Sequence, residues 1–383
     1  MPYVNVGKEN SGNIDLYYED HGSGKPVVLI HGYPLSGASW EKQVPVLLKA
    51  GHRVITYDRR GFGNSSQPTS GYNYDTFAED LHKLVTHLEL RDFTLVGFSM
   101  GGGEVARYFG KYGSKGVSKA VIISGVPPFL LKTADNPEGV DGSVFEGIQK
   151  AVAADRYAFF TEFFKNFYNA DLLLGKRVSE QAVQASWNLA AGASATASLA
   201  CVPTWHEDFR KDLARIDVPT LVIHGDADRI LPITASGLRT AKLIKGARQV
   251  VVKGGPHCIT WTHADEVNLE LVNFLGVAKR DSLSTREGNS RVAVIFRPLP
   301  TGCRLKPAPQ TGAENRAAWR GKSQPQKSKT GYVSRPCIAL EQISPRMLQV
   351  RIYYFISVNY SPHFLGGTCI LFWSKFKLFL TFC

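Results

Sequence analysis

Residues 93–102 read FTLVGFSMGG. The run Phe93–Val96 has the length and apolar composition of a buried strand, and Gly101–Tyr112 reads as a helix. Between them stands Gly97-x-Ser99-x-Gly101. A strand-to-helix turn this tight forces its central residue into a strained backbone, and the flanking glycines leave room for close neighbours. The serine oxygen is then expected at the top of a sheet. The free N–H groups and positive dipole end of the following helix are aimed at the same spot. The motif is common, and a small-residue turn needed only for packing would read the same way. Its position between strand and helix favours a nucleophile.

Outward from this turn, strand and helix alternate. Short apolar runs recur at Val27–Ile30, Val54–Tyr57, Lys119–Ile123, Pro219–Ile223 and Gln249–Val252, each bounded by turn residues. Continuous apolarity rich in β-branched residues fits strands covered on both faces, as in a parallel sheet. The alternation Ile14, Leu16, Tyr18 instead predicts a half-exposed antiparallel strand at the sheet edge. Helices are predicted over Ala38–Lys49, Tyr74–Leu88, Gly101–Tyr112, Thr234–Ile244 and His263–Phe274. The pattern is that of a doubly wound α/β sheet, whose ligands sit at the carboxyl ends of the strands. Residues 127–203 break it with a mostly helical insertion. There Phe160, Phe163, Phe164 and Phe167 form a stripe along one helix face. The stripe reads either as the insertion's own core or as the lining of an apolar pocket beneath a lid, and both can hold for different residues.

The 383 residues are 44% hydrophobic and 20% charged, which excludes a fibrous or wholly disordered chain. Six cysteines are too few for a disulfide scaffold of this length. The start MPYVNVGKEN lacks the basic and apolar regions of a secretory signal, so a cytoplasmic protein with free thiols is expected. A net charge of +12 raises the question of nucleic acid or anionic membrane. Its distribution argues against both for most of the chain. Residues 277–383 hold 17 Lys/Arg against 4 Asp/Glu, a charge of +13 that leaves −1 for residues 1–276. Four cysteines, Cys303, Cys337, Cys369 and Cys383, fall in the same tail. The tail shows no periodicity up to about Pro345 and no nucleic-acid module, and the apolar run Phe364–Trp373 is too short to span a bilayer. It reads as an unstructured extension or a spurious stretch of gene prediction.

A serine hydroxyl needs a base, and the base needs an orienting acid. Of ten histidines, His257 stands apart. It lies in VVVKGGPHC, in a Gly-Pro loop just past the last predicted strand. The acid is expected after another strand, between serine and histidine in chain order. TLVIHGDADRILP offers Asp226 and Asp228, and either carboxylate could serve. The fourth element is HGYP, His31 to Pro34, at the end of the strand Val27–Ile30. Backbone N–H groups of Tyr33 and Met100 are the expected oxyanion donors, each worth about 3 kcal/mol to a tetrahedral transition state.

These residues resemble the α/β-hydrolase superfamily, and within it the cofactor-free (non-heme) chloroperoxidases and aryl esterases. The resemblance is carried by VVLIHGYPLSGASW (27–40), VITYDRRGFGNSSQP (54–68), LVGFSMGGGEVARY (95–108), HGDADRILP (224–232) and GGPHCITWTHADEVNLELVNFL (254–275). It implies an α/β-hydrolase domain over residues 1–276, with a helical cap at about 128–203 after the sixth strand. It implies Ser99 as nucleophile, His257 as base, and Asp228 as acid, because the family's acid lies three residues after the HG glycine, here Gly225. Tyr33 and Met100 match the oxyanion hole, and Pro34 and Trp261 fall to the substrate side. Members with proline after the oxyanion residue are associated with perhydrolysis. Cys258 departs from the glycine the family often has there. A serine at the turn argues against the aspartate-nucleophile dehalogenases and epoxide hydrolases. No Cys/His cluster with metal spacing and no G-x-G-x-x-G after a first strand is found, so neither a metal nor a dinucleotide is expected.

The implied function is acyl transfer on small carboxylic esters, with perhydrolase or haloperoxidase activity on a short carboxylic acid and hydrogen peroxide. A plain carboxylesterase or lactonase is the alternative. A non-catalytic binding protein on the same fold is a further one, disfavoured because every triad member is present.

Overall fold

In the computed structural model, which describes residues 2–277, the apolar runs form one eight-stranded sheet. The strands are β1 (Tyr3–Glu9), β2 (Gly12–His21), β3 (Pro26–Ile30), β4 (Arg53–Tyr57), β5 (Phe93–Phe98), β6 (Val117–Ile123), β7 (Thr220–Gly225) and β8 (Arg248–Val252). Their order is β1-β2-β4-β3-β5-β6-β7-β8. β1 pairs antiparallel with β2, and β2 antiparallel with β4, while the other pairs are parallel. Every residue of β5 and β7 is buried, as expected for parallel strands covered on both sides. The basic tail read at 277–383 lies, beyond Val277, outside the described residues.

Ile14, Leu16 and Tyr18 are buried on one side of β2, as their alternation required. That strand is not at the edge, however, because β1 lies outside it. β1 buries only Val4 and Val6, and its register shifts between Asn5 and Gly7. So brief an alternation, interrupted by a glycine, gives too weak a period to read as a strand.

The helices are α1 (Val44–Lys49), α2 (Tyr74–His87), α3 (Met100–Tyr112), α4 (Gly142–Phe167), α5 (Ala170–Leu173), α6 (Glu180–Gly192), α7 (Ala195–Ala200), α8 (Arg210–Leu213), α9 (Gly237–Leu243), α10 (Ile259–Thr262) and α11 (Ala264–Leu275). α2, α3, α8 and α9 pack in a row as one layer, and α1 and α11 pack together as the other. The single helix expected over Ala38–Lys49 is two pieces, a 3₁₀ turn at Gly37–Trp40 and α1. Pro45 lacks an N–H to continue the first piece and is well placed in the first turn of the second.

α4 to α7 and the turn Val202–His206 form the insertion between β6 and β7. α4 is kinked at Asp155, whose backbone is extended (φ −159°, ψ 95°). The Asp155 carboxylate accepts the Tyr157 and Ala158 N–H groups at 3.0 Å each. It therefore caps a second helical segment, and that segment carries the phenylalanine stripe.

Candidate active site

β5 ends at Phe98 and α3 begins at Met100, so Ser99 alone makes the turn. Its backbone lies at φ 55°, ψ −117°, a region that costs a non-glycine residue about 1–3 kcal/mol. The surroundings fix it there. Ser99 N–H donates to Ile123 O at 2.9 Å, and the Ser99 carbonyl accepts from Gly102 and Val126. A Cβ on Gly97 would collide with the Gly101 carbonyl, and one on Gly101 with the Ile30 carbonyl. Gly32 lets the loop after β3 approach as well, since a Cβ there would stand 2.8 Å from the Ser99 Cβ.

His257 enters from the loop after β8 and is fully buried. Its Nδ1 lies 2.7 Å from Asp228 Oδ2, and its Nε2 lies 2.9 Å from Ser99 Oγ. An ionised carboxylate can only accept, so Nδ1 carries the proton and Nε2 is left to accept from the serine hydroxyl. Asp228 Oδ1 accepts the Ile230 and Leu231 N–H groups, both at 2.8 Å. Burial by itself would push the Asp228 carboxyl up. The imidazoles of His257 and His224 and their hydrogen bonds outweigh it and hold the group well below the usual carboxylate range. Of the two aspartates left open by position in the chain, it is Asp228 that meets His257. Asp226 accepts the Gly254 N–H at 2.6 Å and faces Lys253 Nζ at 3.1 Å, on the outer side of the same loop.

The loop after β3 is held from behind by a buried polar network. His31 Nε2 accepts the Arg59 N–H at 2.9 Å, so its Nδ1–H donates to Gly32 O, also at 2.9 Å. Burial and then the Arg59 charge keep the His31 imidazole far below its usual range. Arg59 donates to His31 O at 3.0 Å and to Glu104 Oε2 at 2.8 Å, and the Tyr57 hydroxyl donates to Glu104. Glu104 belongs to α3, so the ion pair ties the loop after β3 to the helix behind Ser99. Among the described residues, neither the Tyr33 nor the Met100 N–H donates to a protein acceptor. The Tyr33 ring meets Phe62, Phe160, Phe163 and Trp205, and its hydroxyl donates to Ser198 O at 2.9 Å. Pro34 follows through a cis peptide bond.

All four phenylalanines of the stripe are buried. Phe167 stands 5.1 Å from the His257 ring and 6.0 Å from Phe98, while Phe160 and Phe163 pack on Tyr33. The stripe is therefore the insertion's own core, and that core is packed directly onto Tyr33 and His257. Cys258 takes part, its N–H donating to Phe167 O at 3.0 Å. Trp261 is half-buried, with Lys42 Nζ 4.6 Å from its ring centroid, and no aromatic contact or hydrogen bond brings it to Ser99 among the described residues.

Residues 25–264 match the α/β hydrolase fold family. The chain belongs to that family. Over 275 residues, 72% of this chain and all of the relative, the α/β-hydrolase is 67% identical to a protein of Synechocystis sp. whose name places it among the non-heme chloroperoxidases. It is 35% identical to a bifunctional esterase/perhydrolase of Acinetobacter calcoaceticus, over 68% of this chain and 96% of that protein. A bromoperoxidase from Bacillus anthracis of known crystal structure shares 51% identity, with a TM-score of 0.69 covering 72% of this chain and 99% of that one.

The site of this α/β-hydrolase also holds residues that sequence reasoning passed over. Arg59, Glu104 and His224 are buried polar groups with neighbours 28 to 45 positions away or, for His224, hidden in the HG pair. The only signal for them was that charged or polar residues stand inside otherwise apolar or glycine-rich stretches.

Proposed function

We propose that this protein is a serine hydrolase acting by acyl transfer on small carboxylic esters, and that it also performs perhydrolysis. The observation that carries the reading is His257, fully buried, standing 2.9 Å from Ser99 Oγ and 2.7 Å from Asp228 Oδ2. In the proposed cycle His257 Nε2 takes the hydroxyl proton as Ser99 Oγ attacks the ester carbonyl. The Tyr33 and Met100 N–H groups receive the oxyanion. The imidazolium, steadied by Asp228, returns the proton to the departing alkoxide and leaves an acyl-enzyme on Ser99. Water attacking that acyl group gives the carboxylic acid. Hydrogen peroxide attacking instead gives the peracid, and peracid with halide and a proton gives hypohalous acid and the carboxylic acid.

The named activities of the Acinetobacter and Bacillus relatives support the second branch. The aromatic wall of Tyr33, Phe160, Phe163 and Phe167 supports a short acyl group. Pro34 is assigned to the peroxide step. Its ring fixes its own φ and restricts Tyr33, which aims the intervening carbonyl at the position of the incoming peroxide. Among the described residues no helix is long and apolar enough to cross a membrane. With Cys201 and Cys258 both buried free thiols, we place the enzyme in the cytoplasm.

The test is bromination of monochlorodimedone in acetate with hydrogen peroxide, run beside ester hydrolysis. Wild type is expected to brominate and Ser99→Ala to lose both activities. Pro34→Leu is expected to keep hydrolysis and lose perhydrolysis. Bromination that survives Ser99→Ala overturns the mechanism, and equal perhydrolysis-to-hydrolysis ratios in wild type and Pro34→Leu overturn the role of the proline.

A further inference from the structure

We propose that His224 is a positioning residue for the catalytic base, acting through Asp228 by delivering its Nε2–H to the same carboxylate oxygen that His257 uses. The inference rests on the triad reading above. His224 lies on β7, four residues before Asp228, and is fully buried. Its Nε2 stands 3.0 Å from Asp228 Oδ2 and 2.9 Å from Leu231 O. A carboxylate oxygen and a carbonyl oxygen both accept, so the proton must be on Nε2, shared between them. Nδ1 is buried with no partner among the described residues. The start of α9 closes on that side of the ring, where a Cβ on Gly237 would stand 2.6 Å from Nδ1. The ring is thus pinned by packing, with its single N–H held between Leu231 O, the better-aligned acceptor, and Asp228 Oδ2.

Asp228 Oδ1 is already occupied by two backbone N–H groups, so its Oδ2 carries what the carboxylate offers to side chains. That oxygen is divided between two imidazoles. His224 draws part of its charge, and the imidazolium that forms on His257 is stabilised less than it would be by an undivided carboxylate. The effect is an imidazolium that hands its proton on more readily to the leaving group. The other titratable groups around the pair do not compete. Cys258 turns its Sγ to Thr260 at 3.5 Å, with Tyr168 behind it. The pairs Lys253–Asp226 and Arg229–Asp171 lie toward solvent on the flanking loops.

The experiment compares His224→Gln, His224→Asn and His224→Leu with wild type. Glutamine places its amide nitrogen near the position of Nε2, whereas asparagine places its own near Nδ1. Labelling with a fluorophosphonate, present in wild type and absent in Ser99→Ala, first establishes the hydrolase and counts active sites; its failure in wild type would sink the hydrolase reading itself. Per labelled site, His224→Leu and His224→Asn are expected to lose roughly tenfold in kcat/KM through kcat, with KM unmoved. Their acidic limb of the pH–kcat/KM profile moves up by about half a pH unit. His224→Gln restores both. A limb that stays in place or moves down, with only the melting temperature lowered, reduces His224 to a tie for the Leu231 loop and overturns the proposal. Nitrogen-15 NMR tests it without any variant of His224. A His224 ring protonated on Nε2, whose N–H signal shifts in Asp228→Asn, is expected, and a ring protonated on Nδ1 overturns it.

Discussion

Ser99 keeps a strained backbone because its neighbours leave no alternative, and that rigidity is what holds Oγ within reach of His257. The same logic separates the two aspartates after β7. Asp228 is buried with both oxygens used, while Asp226 serves the outer side of the His257 loop. Asp228→Asn is therefore expected to lower kcat by on the order of 10⁴, since an amide facing Nδ1 stabilises the wrong tautomer. Asp226→Asn should cost less than about tenfold, its effect confined to a surface ion pair and a loop N–H. Steady-state hydrolysis by the two folded variants decides it, and a larger loss in Asp226→Asn would reverse the assignment. At this scale Ser99 and His257 were legible because each stands alone in a glycine-rich turn after an apolar strand. The choice between Asp226 and Asp228 was not legible from position, since both follow β7 and only the three-dimensional path of the loop separates them. His224 was harder still. A histidine ending a buried strand carries no periodic signal, and its partner is recognised only once the chain turns back at Leu231.

At the scale of elements, strands buried on both faces announced themselves by continuous apolarity, and the helices behind Ser99 by their period. Boundaries failed where one residue overrides a period. Pro45 split one expected helix, Asn5 to Gly7 blurred β1, and Asp155 divided α4. The last of these matters to the site. The segment that Asp155 caps carries Phe160, Phe163 and Phe167 onto Tyr33 and His257. Asp155→Ala removes two N–H partners from the start of that segment and is expected to cost about 1 kcal/mol of stability. Asp155→Ser should recover most of it. Urea unfolding of the three proteins reads the difference, and KM for a short ester should rise in Asp155→Ala while kcat is nearly kept. A variant as stable as wild type would mean that packing of the stripe alone sets the kink.

For the whole molecule, the question is how much of the chain the enzyme needs. The Synechocystis relative is matched over its full length by 275 residues, and the charge of the chain changes character near Gly276. The end of α11 is also tied down from within. Lys119 Nζ donates to Phe274 O at 2.7 Å and to Leu275 O at 3.1 Å, and His52 Nε2 donates to Gly276 O at 2.8 Å. The last carbonyls of the helix thus have partners before residue 278 is reached, and α11 packs against α1 without any later segment. Truncation after Val277 is expected to leave kcat/KM for ester hydrolysis within about twofold of the full chain. The melting temperature should move by no more than about 2–4 °C, the shift that ~1 kcal/mol produces in a domain of this size. Removing a segment of charge +13 from a chain of +12 also predicts that the truncated protein no longer binds a cation exchanger at pH 7, where the full chain does. Calorimetry, hydrolysis and ion exchange on the two proteins test all three. An insoluble truncation product, or one melting far lower, would show that residues after Val277 complete the fold, and the hydrolase would then have to be drawn with a larger core than its relatives possess.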